Sequence, residues 1–339
     1  MNSPSIPDPP ETVSPGRVWK SRALVAVQVV VVLLVAWGIW RNIEKAVDQV
    51  QQQNFSFEQL RWAWIAMSGV LYLCGSALMG LFWYRLMQAM QQRPNLWSTL
   101  RAFFIGHLGK YVPGKALVVV LRTSLVQGEN MQRSVVATAV FAETLTMVSV
   151  GAVYAAVLIA VWYSQHQLLL WIAVAIGLAA GVVTLPPVFR TIVLTLKVSK
   201  INPEIEEKLA GLDGKVMAWG WGANLMGWTL LGCSMYATML SIPDADIHSA
   251  HPLEAFPLLA ATVCLAMVVG FVTPIPGGMG VREYVIMEMM APVYGPVVAV
   301  VSAVLLRVAW LLAEVALAII LYGIPTSESA SHDPAQHPA

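Results

Sequence analysis

Charge is scarce in this sequence. Asp, Glu, Lys and Arg make up only 12% of 339 residues, about half the share of a soluble domain. Such a chain cannot cover a surface that meets water on all sides. An ordinary soluble enzyme and a disordered chain are excluded on that ground. The net charge is only +1, so no bulk field attracts a polyanion, and no nucleic-acid partner is expected. Cysteine is also rare. Cys74, Cys233 and Cys264 all sit in apolar runs, without CxxC or Cys/His spacing, and read as small packing residues. No GxSxG, HExxH, Walker-type or Rossmann fingerprint occurs, so no metal and no cofactor is expected.

What the sequence has instead is apolar length. Hydrophobic residues reach 58% and the mean hydropathy is +0.67. The class is a polytopic membrane protein. Apolar runs cover 23–40, 62–84, 135–163, 168–189, 216–240, 256–273 and 296–322. Each reaches across a hydrocarbon core of about 30 Å at about 1.5 Å per residue, the shortest only barely. Tryptophan and tyrosine mark many ends, among them Trp40, Trp62, Tyr84, Trp162, Trp171, Trp219 and Tyr322, as an interfacial belt requires. Arg17, Lys20 and Arg22 precede the first run and put the N-terminus in the cytoplasm by the positive-inside rule. The localisation expected is a multi-pass protein of the cytoplasmic (inner) membrane. Residues 1–22 and 323–339 read as disordered tails around one membrane domain, 23–322. Residues 202–214 read as a solvated connector or a short amphipathic helix.

Two stretches break the pattern. In the first, 96–126, two short apolar segments flank Gly106-His-Leu-Gly-Lys110-Tyr-Val-Pro113-Gly114-Lys115. Neither half spans alone, and basic residues at both ends favour one side of the membrane. The spacing predicts a re-entrant hairpin with its tip near Pro113-Gly114. In the second, an apolar run meets Thr273-Pro274-Ile-Pro276-Gly277-Gly278-Met-Gly280-Val-Arg282-Glu283. Two prolines and three glycines so close together cannot continue a helix. The expected architecture is therefore all-α: a bundle of about six full spans plus two re-entrant or broken segments. Broken backbone survives at membrane depth only inside protein or beside a wet cavity. Pro113, Gly114, Pro274, Pro276, Gly277, Gly278 and Gly280 are the expected turn-shaping residues.

Charges cluster at these breaks. Lys110 and Lys115 bracket the first, and Arg122 ends its second half. Arg282 and Glu283 follow the second. Glu143 lies inside the 135–163 run, and Arg307 and Glu314 lie deep in the last run. Each costs about 2.5–3.5 kcal/mol or more if unpaired near the bilayer centre, so each should face the interior. The basic excess suits a bound anion, and arginine's planar fork suits phosphate. Glu314 reads rather as half of a structural ion pair. His107, one turn before Lys110, reads as hydrogen-bonded, with a proton relay as the alternative.

At these two motifs the sequence resembles the lysylphosphatidylglycerol synthase transmembrane-region family. Its members share a membrane domain with the flippase half of bacterial multiple peptide resistance factors. Hopanoid-associated membrane proteins and archaeal lipid-glycosylation proteins are similar too. The Pro-Gly-Lys turn with a following Arg matches Pro113-Gly114-Lys115 and Arg122. The Pro-x-Pro-Gly-Gly-x-Gly-x-Arg-Glu turn matches Pro274 to Glu283, and the family's acid and last-helix arginine match Glu143 and Arg307. Where many members have Gly-Asp or Trp after the first turn, this chain has Ala116-Leu117-Val118. No soluble stretch is long enough for an aminoacyl-transferase domain.

The resemblance implies transbilayer movement of an anionic lipid or polyprenyl-linked substrate rather than catalysis. Lys110, Lys115, Arg122, Glu143, Arg282, Glu283 and Arg307 are the candidate substrate-binding residues. A lipid-synthesis enzyme is a candidate partner. The alternatives are a non-transporting scaffold for such an enzyme, and an embedded glycosyl- or phosphotransferase.

Overall fold

The structure is a computed structural model. It describes residues 37, 40, 57–111, 116–162, 167–196, 198–200, 202–243, 245, 247, 252–273, 278 and 280–323. The tails and nearly all of the expected first span lie outside these residues. So do the turn residues Pro113, Gly114, Lys115, Pro274, Pro276 and Gly277. Trp37 and Trp40, which are described, are helical.

Among the described residues the chain forms eleven α-helices and one two-residue bridge. The helices are α1 (Trp62–Ala89), α2 (Leu96–His107), α3 (Ala116–Leu125), α4 (Arg133–Trp162), α5 (Gln167–Thr184) and α6 (Pro186–Thr195). They continue as α7 (Ile205–Leu209), α8 (Gly214–Leu240), α9 (Pro252–Val272), α10 (Val281–Tyr294) and α11 (Pro296–Gly323). Five of them, α1, α4, α5, α9 and α11, are long and apolar enough to cross a membrane. The fold is thus an all-α polytopic bundle. Helix α8 has the length, with 27 residues, but carries Gly220, Asn224, Gly227, Ser234 and Thr238, all buried. Its composition follows from its place: it packs against α1, α4, α9 and α11.

Small residues set the closest approach. Lipid tails are as apolar as leucine, so membrane helices gain most from packing that brings backbones together. A β-carbon on Gly75 would stand 2.8 Å from the Gly227 carbonyl, too close to fit. A hydroxyl seam runs beside this contact. Ser68 Oγ lies 2.8 Å from both Ser234 Oγ and Thr238 Oγ1, and Trp310 Nε1 donates to Ser234 Oγ at 2.8 Å. The seam joins α1, α8 and α11.

The first break is a closed hairpin. Helices α2 and α3 have 12 and 10 residues, about 18 and 15 Å, roughly half a hydrocarbon core. They pack on each other. Their outer ends are clipped by the antiparallel pair β1 (Arg93–Pro94) and β2 (Gly128–Glu129). Asn95 caps α2, its side chain accepting from Ser98 N at 3.0 Å. Arg101 on α2 donates to the Leu321 carbonyl at 2.9 Å, which ties the hairpin to the last turn of α11. Of the ten residues of α3, only Arg122 is buried.

Three expectations need correction. The 256–273 run was expected to be half of a broken segment. It belongs to α9, whose 21 residues span about 32 Å, so only the 14-residue α10 is too short to cross. The 168–189 run was expected to be one helix, but it ends at Thr184, and α6 begins with Pro186 at its N-terminus. Prolines 186 and 187 offer no N–H, so the chain restarts there rather than continuing. Residues 202–214 are not a solvated connector. Ile205 and Leu209 on α7 are buried, and Asn202 Nδ2 donates to Gln132 Oε1 at 2.6 Å.

Candidate functional site

The charges expected at the breaks come together as two separate groups. In the first, Arg122 on α3 meets Glu143 on α4. Arg122 Nη1 donates to Glu143 Oε2 at 2.8 Å, and the two side chains are only 4% and 2% exposed. The guanidinium also lies 4.0 Å above the Phe103 ring and 5.5 Å from that of Trp83. The guanidinium is thus paired and stacked, although its Nε is buried without a hydrogen-bond partner.

The second group is larger and lies where α10, α11 and the first break meet α1. Glu314 on α11 is buried at 2% exposure. Its Oε1 accepts from Tyr72 Oη and from Lys110 Nζ, and its Oε2 accepts from Tyr111 Oη at 2.9 Å. His107 Nε2 stands 3.9 Å away. Tyr72 is held in place by stacking on Trp310, with ring centroids 4.4 Å apart. Two turns along the same face of α11, Arg307 pairs with Glu283. Glu283 has a second duty: its Oε2 accepts from the Gly280 N–H at 2.7 Å and so caps α10. The first backbone donor of α10 is therefore taken by the chain's own carboxylate. Gly280, at φ +81°, adopts a conformation that a side chain would strain.

Arg282 differs from the others. No described residue offers it a hydrogen bond or an ion pair, and its Nε, like that of Arg122, is buried without a partner. Its stem threads a slot between two glycines. A β-carbon on Gly270 of α9 would stand 2.6 Å from Arg282 Cγ, and one on Gly278 would stand 2.8 Å from Nε. Gly278, at φ +66°, is thus constrained by both backbone and space. Glycine at the second break is required partly because an arginine passes through it.

Two cavities meet here. The inner one, about 40 Å³, is lined by Lys110, Tyr111, Arg282, Glu283, Arg307 and Trp310 among others. At about 15 Å³ per water it holds two or three waters and no bulky headgroup. The outer one, about 510 Å³, has mainly apolar walls that include Val118, Val119, Phe141, Met267 and Phe271. His107, Lys110, Arg122 and Arg282 are its cationic or titratable lining groups apart from Glu143. Lys110 and Arg282 line both cavities and form the partition.

The sequence pattern of the lysylphosphatidylglycerol synthase TM region matches residues 24–318. The chain belongs to that family. Among curated proteins none matches the sequence. Family membership and the apolar helices together make this a multi-pass membrane protein.

Within this lysylphosphatidylglycerol synthase TM region, the structure gathers Lys110, Arg282, Glu283 and Arg307 at one cavity and places Arg122 with Glu143 on the wall of a larger one, which Lys110 and Arg282 also line. Lys115 lies outside the described residues. Sequence reasoning passed over Tyr72, Tyr111, Trp310 and Gly270, and it treated Glu314 as structural. Aromatic residues within apolar runs carry no mark that separates a site from an interfacial belt. Glu314 could have been found by asking which acid remains for Lys110.

Proposed function

We propose that this protein moves an anionic lipid or polyprenyl-linked substrate across the bilayer. One observation carries the proposal: among the described residues Arg282 has no acid partner, and it stands on the partition between an apolar cavity and a small polar one. A cation in an apolar setting is expensive unless an anion joins it. The outer cavity falls within the 300–1,000 Å³ typical of small-molecule sites, and its apolar walls suit an acyl or prenyl chain. Its cationic end suits the phosphate of the same molecule.

In this reading Arg282 takes the phosphate first. Lys110 and Arg307, whose carboxylates hold them when no substrate is bound, complete the binding. The inner cavity, too small for a headgroup as it stands, opens during transfer. The activity proposed is movement rather than bond chemistry. The site proposed is in the cytoplasmic (inner) membrane, with the N-terminus in the cytoplasm, and a lipid-synthesis enzyme is the proposed source of substrate.

The rival reading is a scaffold whose buried charges are structural, and Arg122 with Glu143 fits that role locally. The test is reconstitution into liposomes with labelled anionic and zwitterionic lipids. Wild type should speed flipping of the anionic lipid. Arg282→Ala should slow it by about tenfold to a hundredfold, the worth of one charged hydrogen-bonded contact of roughly 1.5–3 kcal/mol. Its abundance and thermal midpoint should stay near wild type. Normal flipping by the variant would sink the proposal, and a loss of folded protein would favour the scaffold.

A further inference from the structure

Glu314 is held by more donors than an ion pair needs. Around it, α1 contributes Tyr72, α2 contributes His107, and the turn after α2 contributes Lys110 and Tyr111. On its own helix Arg307 lies seven residues before it, already engaged with Glu283 of α10, and Arg282 completes the charged groups at the cavity. The remaining neighbour, Trp310, is tied to Ser234 of α8 and carries no titratable group. The cluster therefore holds Lys110, Arg282 and Arg307 against Glu283 and Glu314. One positive charge is unmatched while His107 is neutral.

We propose that Glu314 is a proton-binding site coupled to substrate: one proton from solvent adds to its carboxylate when the anion binds and leaves when the anion is released. The proposal rests on the reading of this site as an anion carrier. Protonation removes the charge that holds Lys110. The ammonium is then free to turn toward an anion at Arg282 across the partition that both residues form. A neutral carboxyl still serves both tyrosines, because one oxygen accepts and the O–H donates. The local structure therefore survives the change. The inner cavity, which has room for water, is lined by Lys110 and Tyr111, two of the donors that hold Glu314. An anion moved with one proton carries no net charge, so the membrane potential neither drives nor opposes the step.

The sign follows by linkage. Each proton bound with the lipid makes affinity fall about tenfold per pH unit as pH rises above the titration range of the site. The experiment measures binding of short-chain phosphatidylglycerol to the purified full chain in detergent from pH 5 to 9, with short-chain phosphatidylcholine as the zwitterionic control. Wild type should bind phosphatidylglycerol more tightly at acid pH with a slope near one. Glu314→Gln, which imitates the protonated form, should bind with the acid-side affinity at every pH.

Infrared difference spectra of lipid-bound against lipid-free wild type should show a carboxylic acid band that Glu314→Gln lacks. This readout does not depend on transport or on the stability of any one variant's binding site. Binding that ignores pH in wild type would overturn the proton linkage and leave the anion site standing. A wild-type slope retained in Glu314→Gln and lost in His107→Asn would move the proton to His107 and overturn the assignment. Absence of binding at every pH would overturn the anion reading itself, and the linkage with it.

Discussion

The two ionic groups of this protein are built from the same kinds of residue and are built differently. Arg122 and Glu143 form a pair with stacked aromatic rings on the guanidinium and almost no exposure. The group around Arg282 and Glu314 spreads over α1, the first break, α10 and α11, borders a cavity through Lys110, Arg282, Glu283 and Arg307, and leaves Arg282 without an acid among the described residues. A closed pair returns most of its desolvation cost through its own geometry. An open cluster with an excess cation is stabilised further only when a ligand arrives. The difference separates a charge that holds an element in place from a charge that waits for a substrate.

The largest expected effect comes from breaking the closed pair. Arg122→Ala should lower stability by about 3–5 kcal/mol, because Glu143 is left buried and alone. Thermal unfolding and membrane abundance both read it. Replacing the pair together, as Arg122→Met with Glu143→Leu, should recover much of that loss. If the double variant also flips lipid normally, the pair is structural and the comparison holds. If it is stable but inactive, Arg122 belongs with the open cluster.

A smaller effect is expected at the slot. Gly270→Val sets its β-carbon where the stem of Arg282 now lies, 2.6 Å from Cγ. Cγ is bonded directly to the Arg282 β-carbon, so the whole side chain must take another rotamer to give way. Lipid flipping should fall roughly tenfold, about 1.4 kcal/mol of lost stabilisation, while the thermal midpoint changes less than in Arg122→Ala. Unchanged flipping in a folded variant would show that the slot does not aim the guanidinium.

The smallest effect lies outside the membrane-spanning segments. Glu204 accepts from Gln132 Nε2 at 3.0 Å and lies beside Lys208, and these two neighbours hold its carboxyl below the usual value. A lowered carboxyl adds stability at neutral pH and loses it as pH falls through the carboxylate range. Wild type and Glu204→Gln should therefore differ slightly in thermal midpoint at pH 7 and coincide at acid pH. Because Glu204 is solvated, the gap should shrink with added salt.

The breaks were legible in the sequence because proline, glycine and charge are costly in an apolar run, so their clustering at 107–115 and 273–283 has few explanations. Membership of the bundle was legible for the same reason. The pairings were not. Glu314 and Lys110 are 204 positions apart, and only the packing of α11 against α1 and α2 brings them together. Arg307 and Glu314, seven residues apart, share one face of α11, yet each takes a partner from another element. Prolines 186 and 187 were plain to see. An apolar run continued through them, and hydropathy alone does not register a missing N–H.

The clip between β1 and β2 bears on how the whole chain can be threaded. Arg93 sits opposite Glu129, and Pro94 opposite Gly128, so the hairpin's two ends leave side by side. An excursion that returns to its starting face adds nothing to the parity of crossings. Every helix after Glu129 keeps its sidedness whether the hairpin is present, shortened or removed. The first break can therefore change in length and sequence without inverting the rest of the protein. That freedom is denied to any full span.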